Sequence, residues 1–298
     1  MGMAGLLPRS QDTNPSRGNF ARVHPSARCA MLRGEIGCGR REARMGEVTT
    51  ERVGDVAVIR LQRPPVNAMD TELLSALILA VQAFAQSDAR AAVLTAEGRT
   101  FCAGVDLKLV LEGGPSYLST FLPLLSEAFA SLFTVGKPVV AAANGHAIAG
   151  GCILVAACDV RLMAAGDGRI GVSELPVGVP FPSWPLEIMR FSTAPQHLQE
   201  VVLTGRTYSP DQALARGLVD DVVSPDGLFE EALRRAAELA AVPSATFTHT
   251  KRQLRRPTID RVLRHGPDFD VLAEALWSSP EVADAVRRYL EQRVGRRS

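Results

Sequence analysis

The chain has 298 residues, of which 46% are hydrophobic and 5% aromatic, so it can bury a substantial core as one large domain or two ordinary ones. No apolar run reaches the roughly 18 to 20 residues that a membrane helix needs, and we expect no membrane partner. The net charge is +1, and eight arginines in residues 1–44 leave the remaining chain mildly acidic, which disfavours nucleic acid as the main partner.

Residues 1–44 are rich in Arg, Gly, Ser and Pro and lack an apolar period. We expect them to form a disordered extension without a catalytic role. The alternative is a transit peptide, because such peptides are also rich in Arg and poor in acidic residues. The predicted location is the cytoplasm, or the mitochondrion or another organelle if these residues are a transit peptide.

The next part of the chain alternates strand and helix signals. Two β-like runs are separated by Gly54-Asp55, which is a hairpin signal. The predicted elements are strands Val48–Val53 and Val56–Leu61, helix Thr71–Gln86, strand Ala91–Thr95, helix Ser116–Phe133, and strands Val139–Ala143 and Val160–Ala164. Such alternation predicts an α/β fold with parallel strand pairs.

From Ser183 onward the sequence signals are mainly helical. We predict helices at Asp211–Arg216, Gly227–Ala241, Asp268–Trp277 and Glu281–Gln292. The predicted domains are therefore the extension 1–44, an α/β core at 45–240 and a helical region at 241–298.

Several common kinds of site are disfavoured. The five cysteines are odd in number and lack CxxC spacing, so we expect no zinc site or disulfide framework and a reducing compartment. No Walker motif occurs, and no strand precedes the spaced glycines of GCGRR (37–41). GVSEL (171–175) lacks the closing glycine of a nucleophile elbow, so Ser173 is predicted to be a pocket or capping residue. We interpret His146 as structural.

Two glycine-bearing segments stand out together. FCAGVDL (101–107) follows a predicted strand, and AIAGGCILVAACD (147–159) contains a second glycine turn at a helix start. Each segment can present a backbone N–H group without a side chain in the way. Two such donors that converge on one point would form an oxyanion hole, and the dipole of the helix would add to it.

These segments resemble the motifs of the enoyl-CoA hydratase/isomerase (crotonase) family. The resemblance extends through KPVVAAANG, RIGVSELPVGV and VLTGRTYSPDQALARGLVDDVV and covers about residues 47–240. It implies a crotonase-like spiral of ββα units and an acyl-CoA thioester substrate. It also implies no cofactor beyond the CoA of the substrate, no metal, and a homotrimer or hexamer, for which residues 267–294 could supply the subunit contact.

The resemblance also implies site residues. The N–H groups of Val105 and Gly150 would form the oxyanion hole, and Glu174 would be the catalytic acid or base. The remaining residues of the two segments and their surroundings would contact substrate: Ala103, Gly104, Asp106, Leu107, Gly151, Ile153 and Ser173. The loop RPPVNAMD (63–70) would help to form the CoA adenine pocket.

Two departures from the hydratase pattern favour an isomerase. Hydratases of the family carry a second glutamate three residues beyond the oxyanion-hole glycine, and Ile153 stands there in this chain. The loop 63–70 is one residue shorter than in hydratases and is similar to the PPVN of Δ3,Δ2-enoyl-CoA isomerases. Because a double-bond shift needs one base and hydration needs two groups, we predict isomerisation of a 3-enoyl-CoA to a 2-enoyl-CoA in fatty-acid metabolism.

Two alternatives remain open at this point. The first is an enoyl-CoA hydratase or another CoA lyase or hydrolase of the same family. The second is a catalytically weak relative that binds RNA or protein through the basic stretch His249–His265. This stretch lacks the aromatic side chains that stack on bases, so we interpret it as a solvated helix face.

Overall fold

The computed structural model describes residues 43–45 and 47–295, with a seven-stranded sheet at its centre. The described residues all fall within one compact unit, residues 41–298. The predicted extension 1–44 lies outside the described residues except for its last two, which belong to a strand that the sequence did not predict. The ten strands are β1 Ala43–Met45, β2 Val48–Val53, β3 Val56–Leu61, β4 Ala91–Ala96, β5 Thr100–Cys102, β6 Val139–Ala143, β7 His146–Ile148, β8 Val160–Ala164, β9 Ile170–Gly171 and β10 Asp221–Val223.

Ten α-helices cover most of the remaining described chain. They are α1 Thr71–Gln86, α2 Leu107–Thr134, α3 Gly150–Ala157, α4 Glu174–Val177, α5 Ser183–Ser192, α6 Pro195–Thr204, α7 Pro210–Ala215, α8 Leu228–Ala241, α9 Ser244–Trp277 and α10 Pro280–Gly295. None of these helices combines the length and the apolar character that a bilayer crossing requires.

The strands form two sheets. The large sheet has the order β1-β2-β3-β4-β6-β8-β10, with antiparallel pairs up to β3 and parallel pairs beyond it, and the small parallel sheet has the order β5-β7-β9. After the β2–β3–α1 segment, the chain therefore passes three times through one strand of each sheet and then a helix. This repeat is the predicted spiral of ββα units, and the α/β prediction is confirmed.

The sequences of the central strands are almost entirely apolar because these strands are buried. Every residue of β4 and of β6 is buried, because helices cover both faces of the large sheet. One face packs against α1, α2 and α3, and the other packs against the alanines of α8. The small sheet lies at the ends of β4, β6 and β8, where the chain turns toward the next helix, and this turn region positions the site.

Two predicted helix starts were wrong. Helix α2 begins at Leu107, nine residues before the predicted Ser116, and Gly114 interrupts it with a φ of 55°. The Gly113-Gly114-Pro115 run lowers the helical signal in the sequence although tertiary packing keeps both parts helical. Helix α9 begins at Ser244 rather than near Asp268, with Pro257 and Pro267 inside it.

The basic stretch of α9 is partly internal. Arg255 donates hydrogen bonds to the carbonyl oxygens of Phe133, Ala157 and Cys158 and forms an ion pair with Asp159 at 2.8 Å. Lys251 bonds Asp159 at 2.7 Å. Both cations are buried, and Arg255 connects α9 to the C-terminal ends of α2 and α3. The interpretation of this stretch as a wholly solvated helix face was therefore wrong for these two residues.

Candidate active site

The first glycine segment is held by Met69. The N–H of Met69 donates to the carbonyl of Gly104 at 2.8 Å, and the N–H of Asp106 donates to the carbonyl of Met69 at 2.9 Å. In this parallel bridge both hydrogen bonds use the polar backbone groups of Met69. The N–H of Val105, the residue between the two partners, therefore points away from Met69 and is available to a ligand.

The second glycine segment begins a helix. Ala149, with a φ of 52°, turns the chain so that Gly150 becomes the first residue of α3. A first helical residue has no acceptor for its N–H within the helix, and the helix dipole makes this end attractive to negative charge. A side chain at Gly150 would clash, because its Cβ would lie 2.8 Å from Sδ of Met69.

The two segments touch each other. A Cβ at Gly104, which has a φ of 86°, would lie 2.9 Å from Cβ of Ala149 and 3.5 Å from the backbone nitrogen of Gly150. Only a glycine permits this approach. Val105 and Gly150, the two predicted oxyanion donors, consequently line the same cavity.

This cavity has a volume of about 360 Å³ and is mainly apolar. Eight of the ten predicted site residues line it: Ala103, Val105, Asp106, Leu107, Gly150, Ile153, Ser173 and Glu174. Gly104 and Gly151 do not line it. Gly104 provides the contact between the two segments, and a Cβ at Gly151 would overlap the carbonyl of Cys102, so Gly151 serves the packing of α3 on β5.

Ser173 lines the cavity but does not cap a helix with its side chain. It precedes α4, and no cap hydrogen bond forms from its hydroxyl, so the pocket half of the prediction agrees with the structure and the capping half does not. His146 makes a contact that fits its structural interpretation: its Nδ1 accepts a hydrogen bond from the N–H of Arg169 at 3.1 Å.

The far wall of the cavity contains residues that the sequence did not indicate. They are Trp277 at the end of α9, Tyr289 and Leu290 in α10, Leu125 and Phe129 of α2, and Val177, Val179, Pro180, Phe181, Pro182 and Pro185. The C-terminal region thus helps to form the candidate site. Apolar and aromatic residues at helical spacing were visible in the sequence, but nothing local indicated which surface they would cover.

Glu174 is the first residue of α4 and is only 9% exposed. Its Oε2 finds no hydrogen-bond partner among the described residues, although the side chain faces the cavity. Burial disfavours the charged carboxylate and raises the pKa of Glu174 to about 8. A group with such a pKa can both accept and release a proton near neutral pH.

The second carboxylate in the cavity wall, Asp106, is already engaged. Its Oδ1 accepts from the N–H groups of Lys108 and Leu109, and its Oδ2 lies 3.5 Å from Nη1 of Arg63. Ile153, which is buried, occupies the cavity wall one helical turn from Gly150. Within the described cavity wall, Glu174 is therefore the one carboxylate with an unpartnered oxygen.

A group of three acidic side chains lies next to Arg63, which is a residue of the cavity wall. Ligand atoms of Glu47, Asp70 and Glu72 all lie within 4.8 Å of one another. The guanidinium of Arg63 forms ion pairs with Glu47 at 2.9 Å and with Asp70 at 2.5 Å. Arg63 thus already supplies the positive charge that this group would otherwise seek from a metal ion.

Comparison with known proteins identifies the family. The family model described as enoyl-CoA hydratase/isomerase matches residues 51–296. The chain belongs to this family. Enoyl-CoA delta isomerase 1, mitochondrial, of Mus musculus is 28% identical over 279 residues, which cover 90% of this chain and 96% of that protein. The 2,3-dehydroadipyl-CoA hydratase of Escherichia coli (strain K12) is 30% identical over 214 residues, covering 71% and 83%.

The fold comparison agrees. The crystal structure of human mitochondrial delta3-delta2-enoyl-CoA isomerase matches with a TM-score of 0.80 and 26% identity, covering 85% of this chain and all of the other. The crotonase fold expected from the motifs is therefore confirmed. This enoyl-CoA hydratase/isomerase family enzyme resembles isomerases and hydratases to a similar degree, so the choice between the two reactions depends on the residues of the site.

Proposed function

We propose that this enzyme moves the double bond of a 3-enoyl-CoA to position 2, with Glu174 as the single base. The observation that carries the proposal is the pairing of an unpartnered buried carboxyl at Glu174 with an apolar residue at position 153 in the same cavity. Isomerisation requires one proton acceptor that later becomes the donor. Hydration additionally requires a group that activates water, and an isoleucine cannot do so.

The reaction would proceed in two proton transfers. The Glu174 carboxylate takes a proton from C2, and the electron pair of that C–H bond moves into a dienolate. The negative charge on the thioester oxygen accepts hydrogen bonds from the N–H groups of Val105 and Gly150, which are fixed by the backbone before substrate arrives. Protonated Glu174 then delivers the same proton to C4, and the double bond lies between C2 and C3.

The fixed position of both donors supports this role. Val105 is clamped through Met69, and Gly150 is fixed by α3 and by the hydrogen bond from the N–H of Ala149 to the carbonyl of Gly171 at 2.8 Å. Donors that need no rearrangement stabilise developing charge well in an apolar cavity. In this proposal the reaction needs no metal and no cofactor, because CoA enters as part of the substrate.

The alternatives receive less support from the site. A hydratase would need a second group to activate water, and Asp106 is engaged by Arg63 and by backbone N–H groups. An RNA-binding function would use the cations of the basic stretch of α9, and two of its six, Lys251 and Arg255, are buried in ion pairs with Asp159. Both facts favour the isomerase over a hydratase or an RNA-binding protein.

We also propose that the enzyme assembles as a homotrimer or hexamer through its C-terminal helices and acts in the cytoplasm. Several large apolar side chains of α9 are exposed, among them Leu263, Phe269, Val271 and Leu272. Large exposed apolar side chains concentrated in one helix are a feature of protein–protein contacts. Sedimentation of the purified full chain tests the assembly.

A substrate panel tests the proposed reaction. The enzyme is offered matched 3-enoyl-CoA and 2-enoyl-CoA thioesters of several chain lengths, and products are separated by chromatography. We expect 2-enoyl-CoA from the first series and little 3-hydroxyacyl-CoA from the second. Efficient hydration of the second series, with no double-bond shift in the first, would contradict the proposal.

A further inference from the structure

A second, smaller cavity lies beside the candidate site. Its volume is about 70 Å³, and its wall is mainly apolar, with Val110 and Leu118 of α2 and Val282 and Val286 of α10 among its members. Within the described part of the chain, Trp277 is the one residue that lines both this cavity and the 360 Å³ cavity that contains Glu174. Trp277 therefore lies at the boundary between the two cavities, and we call it the partition between them.

The partition is held in place. Trp277 is the last residue of α9 and is 4% exposed. Its indole N–H donates to the carbonyl of Pro180 at 3.0 Å, which satisfies the polar group that a buried tryptophan must pair. Pro180 belongs to the same cavity wall and follows α4, the helix that Glu174 begins. The indole position is thus tied to the segment that carries the base.

We propose that Trp277 sets the upper limit of acyl chain length by closing the apolar end of the substrate cavity. This inference rests on the proposed function, since it assumes that an acyl-CoA thioester occupies the cavity. The acyl chain extends from the thioester at Val105 and Gly150 along the apolar wall until it meets the indole. Chains that fit in front of the indole bury all their methylene groups, and longer chains leave further methylenes without a place to be buried.

This arrangement predicts that affinity stops rising at a particular acyl chain length, which we call the break. Each methylene that becomes buried strengthens binding about fourfold, because its apolar surface is removed from water. Affinity therefore rises with each added methylene until the chain reaches Trp277 and then levels off. Trp277→Ala joins the 70 Å³ space to the substrate cavity, so the break moves to longer chains.

The experiment uses the full chain and saturated acyl-CoA thioesters, which lack a double bond and are not turned over. Dissociation constants are measured by calorimetry for a series that grows by two methylene groups at each step. We expect the break to move by at least one step in Trp277→Ala. The matched control is Leu276→Ala, because Leu276 precedes Trp277 in α9, is partly exposed and does not line either of these cavities.

A fluorescence measurement keeps the proposal testable if Trp277→Ala fails to fold. The chain has two tryptophans, and Trp184 packs edge-on against Phe133 away from the cavity wall. Trp184→Phe therefore leaves Trp277 as the only tryptophan, whose emission is excited selectively at wavelengths that tyrosine does not absorb. We expect its emission to change only with thioesters whose chains reach the break. Trp277→Phe, which shortens the partition and removes the bond to Pro180, should move the break by less than Trp277→Ala.

The outcomes separate the two proposals. A break at the same chain length in wild type and Trp277→Ala overturns the role of Trp277 and leaves the isomerase proposal intact. Emission that never responds to chain length, in a protein whose affinity does, overturns it as well. If wild type binds no acyl-CoA at any length, the proposed function itself is wrong.

Discussion

Asp70 and Asp106, the N-cap residues of the neighbouring helices α1 and α2, share one guanidinium. Nη2 of Arg63 lies 2.5 Å from Oδ2 of Asp70, and Nη1 lies 3.5 Å from Oδ2 of Asp106. Each aspartate uses its other oxygen to cap its own helix. Met69 and Val105, which immediately precede the two caps, are the bridged pair that aims the oxyanion donor, so Arg63 fixes both sides of that pair.

The first prediction concerns Arg63. Arg63→Met should lower kcat by up to about 100-fold, because small displacements of a positioned group can have effects of that size. The affinity for a saturated acyl-CoA should change less, since the other residues of the cavity wall remain. Arg60→Met is the control, because Arg60 pairs with Glu51 on the sheet surface away from the cavity. An equal loss of kcat in both variants would contradict a positioning role for Arg63.

The second prediction tests the backbone donor at Val105. Val105→Pro removes the N–H and should lower kcat by about 10²- to 10³-fold, which is the usual consequence of losing one oxyanion-hole hydrogen bond. Val105→Ala keeps the N–H and should have a mild effect. Single-turnover kinetics with a 3-enoyl-CoA compare the two. Equal damage from both substitutions would show that the side chain, and not the N–H, is what matters.

The third prediction concerns Glu174. Glu174→Gln keeps the size of the side chain but cannot carry a proton, so isomerisation should be lost while acyl-CoA affinity stays within a few-fold of wild type. Isomerase turnover in this variant would rule out Glu174 as the base. Calorimetric titration with a saturated thioester verifies that the cavity is still formed.

The fourth prediction is that kcat/KM rises with pH while the free energy of unfolding falls. The carboxylate of Glu174 becomes populated as the pH rises through its pKa of about 8, so kcat/KM should increase up to that region and then level off. In the unfolded chain Glu174 releases its proton near the ordinary pKa of 4.5, whereas the folded state keeps this proton up to about pH 8. The free energy of unfolding should therefore decrease as the pH rises from 4.5 to about 8. Denaturant unfolding across this range should show a steeper fall in wild type than in Glu174→Gln.

The fifth prediction restores a second carboxylate. Ile153→Glu places it in the cavity wall one turn from Gly150, and hydration of a 2-enoyl-CoA should rise above the wild-type level. The change also buries a charge and should lower stability by several kcal/mol unless water reaches it. Ile153→Gln is the control, because it is similarly polar without a base. Equal hydration by both variants would show that the carboxylate is not the reason.

Local sequence signals determined the bounds of helix α1 and of several strands and the position of the candidate site. Helix α1 occupies the predicted Thr71–Gln86 because its apolar residues repeat at the helical period and Asp70 caps it. The hairpin strands β2 and β3 also have their predicted bounds, because Gly54-Asp55 separates the two β-like runs. The buried strand β6 has its predicted bounds because it is a short, continuous apolar run. The glycines at 104 and 150 mark the site because they need a particular backbone conformation or a close approach.

Contacts between distant parts of the chain were decided by the tertiary structure alone. The sequence around Trp277 does not indicate that it lines the same cavity as Val105. The sequence around Arg63 does not indicate that it pairs with the N-cap aspartates of two helices. The pKa of Glu174 depends on how completely its surroundings exclude water, which the apolar neighbours suggest but only packing fixes. Sequence periodicity records which face of an element is buried, whereas the partner of that face is chosen by the whole chain.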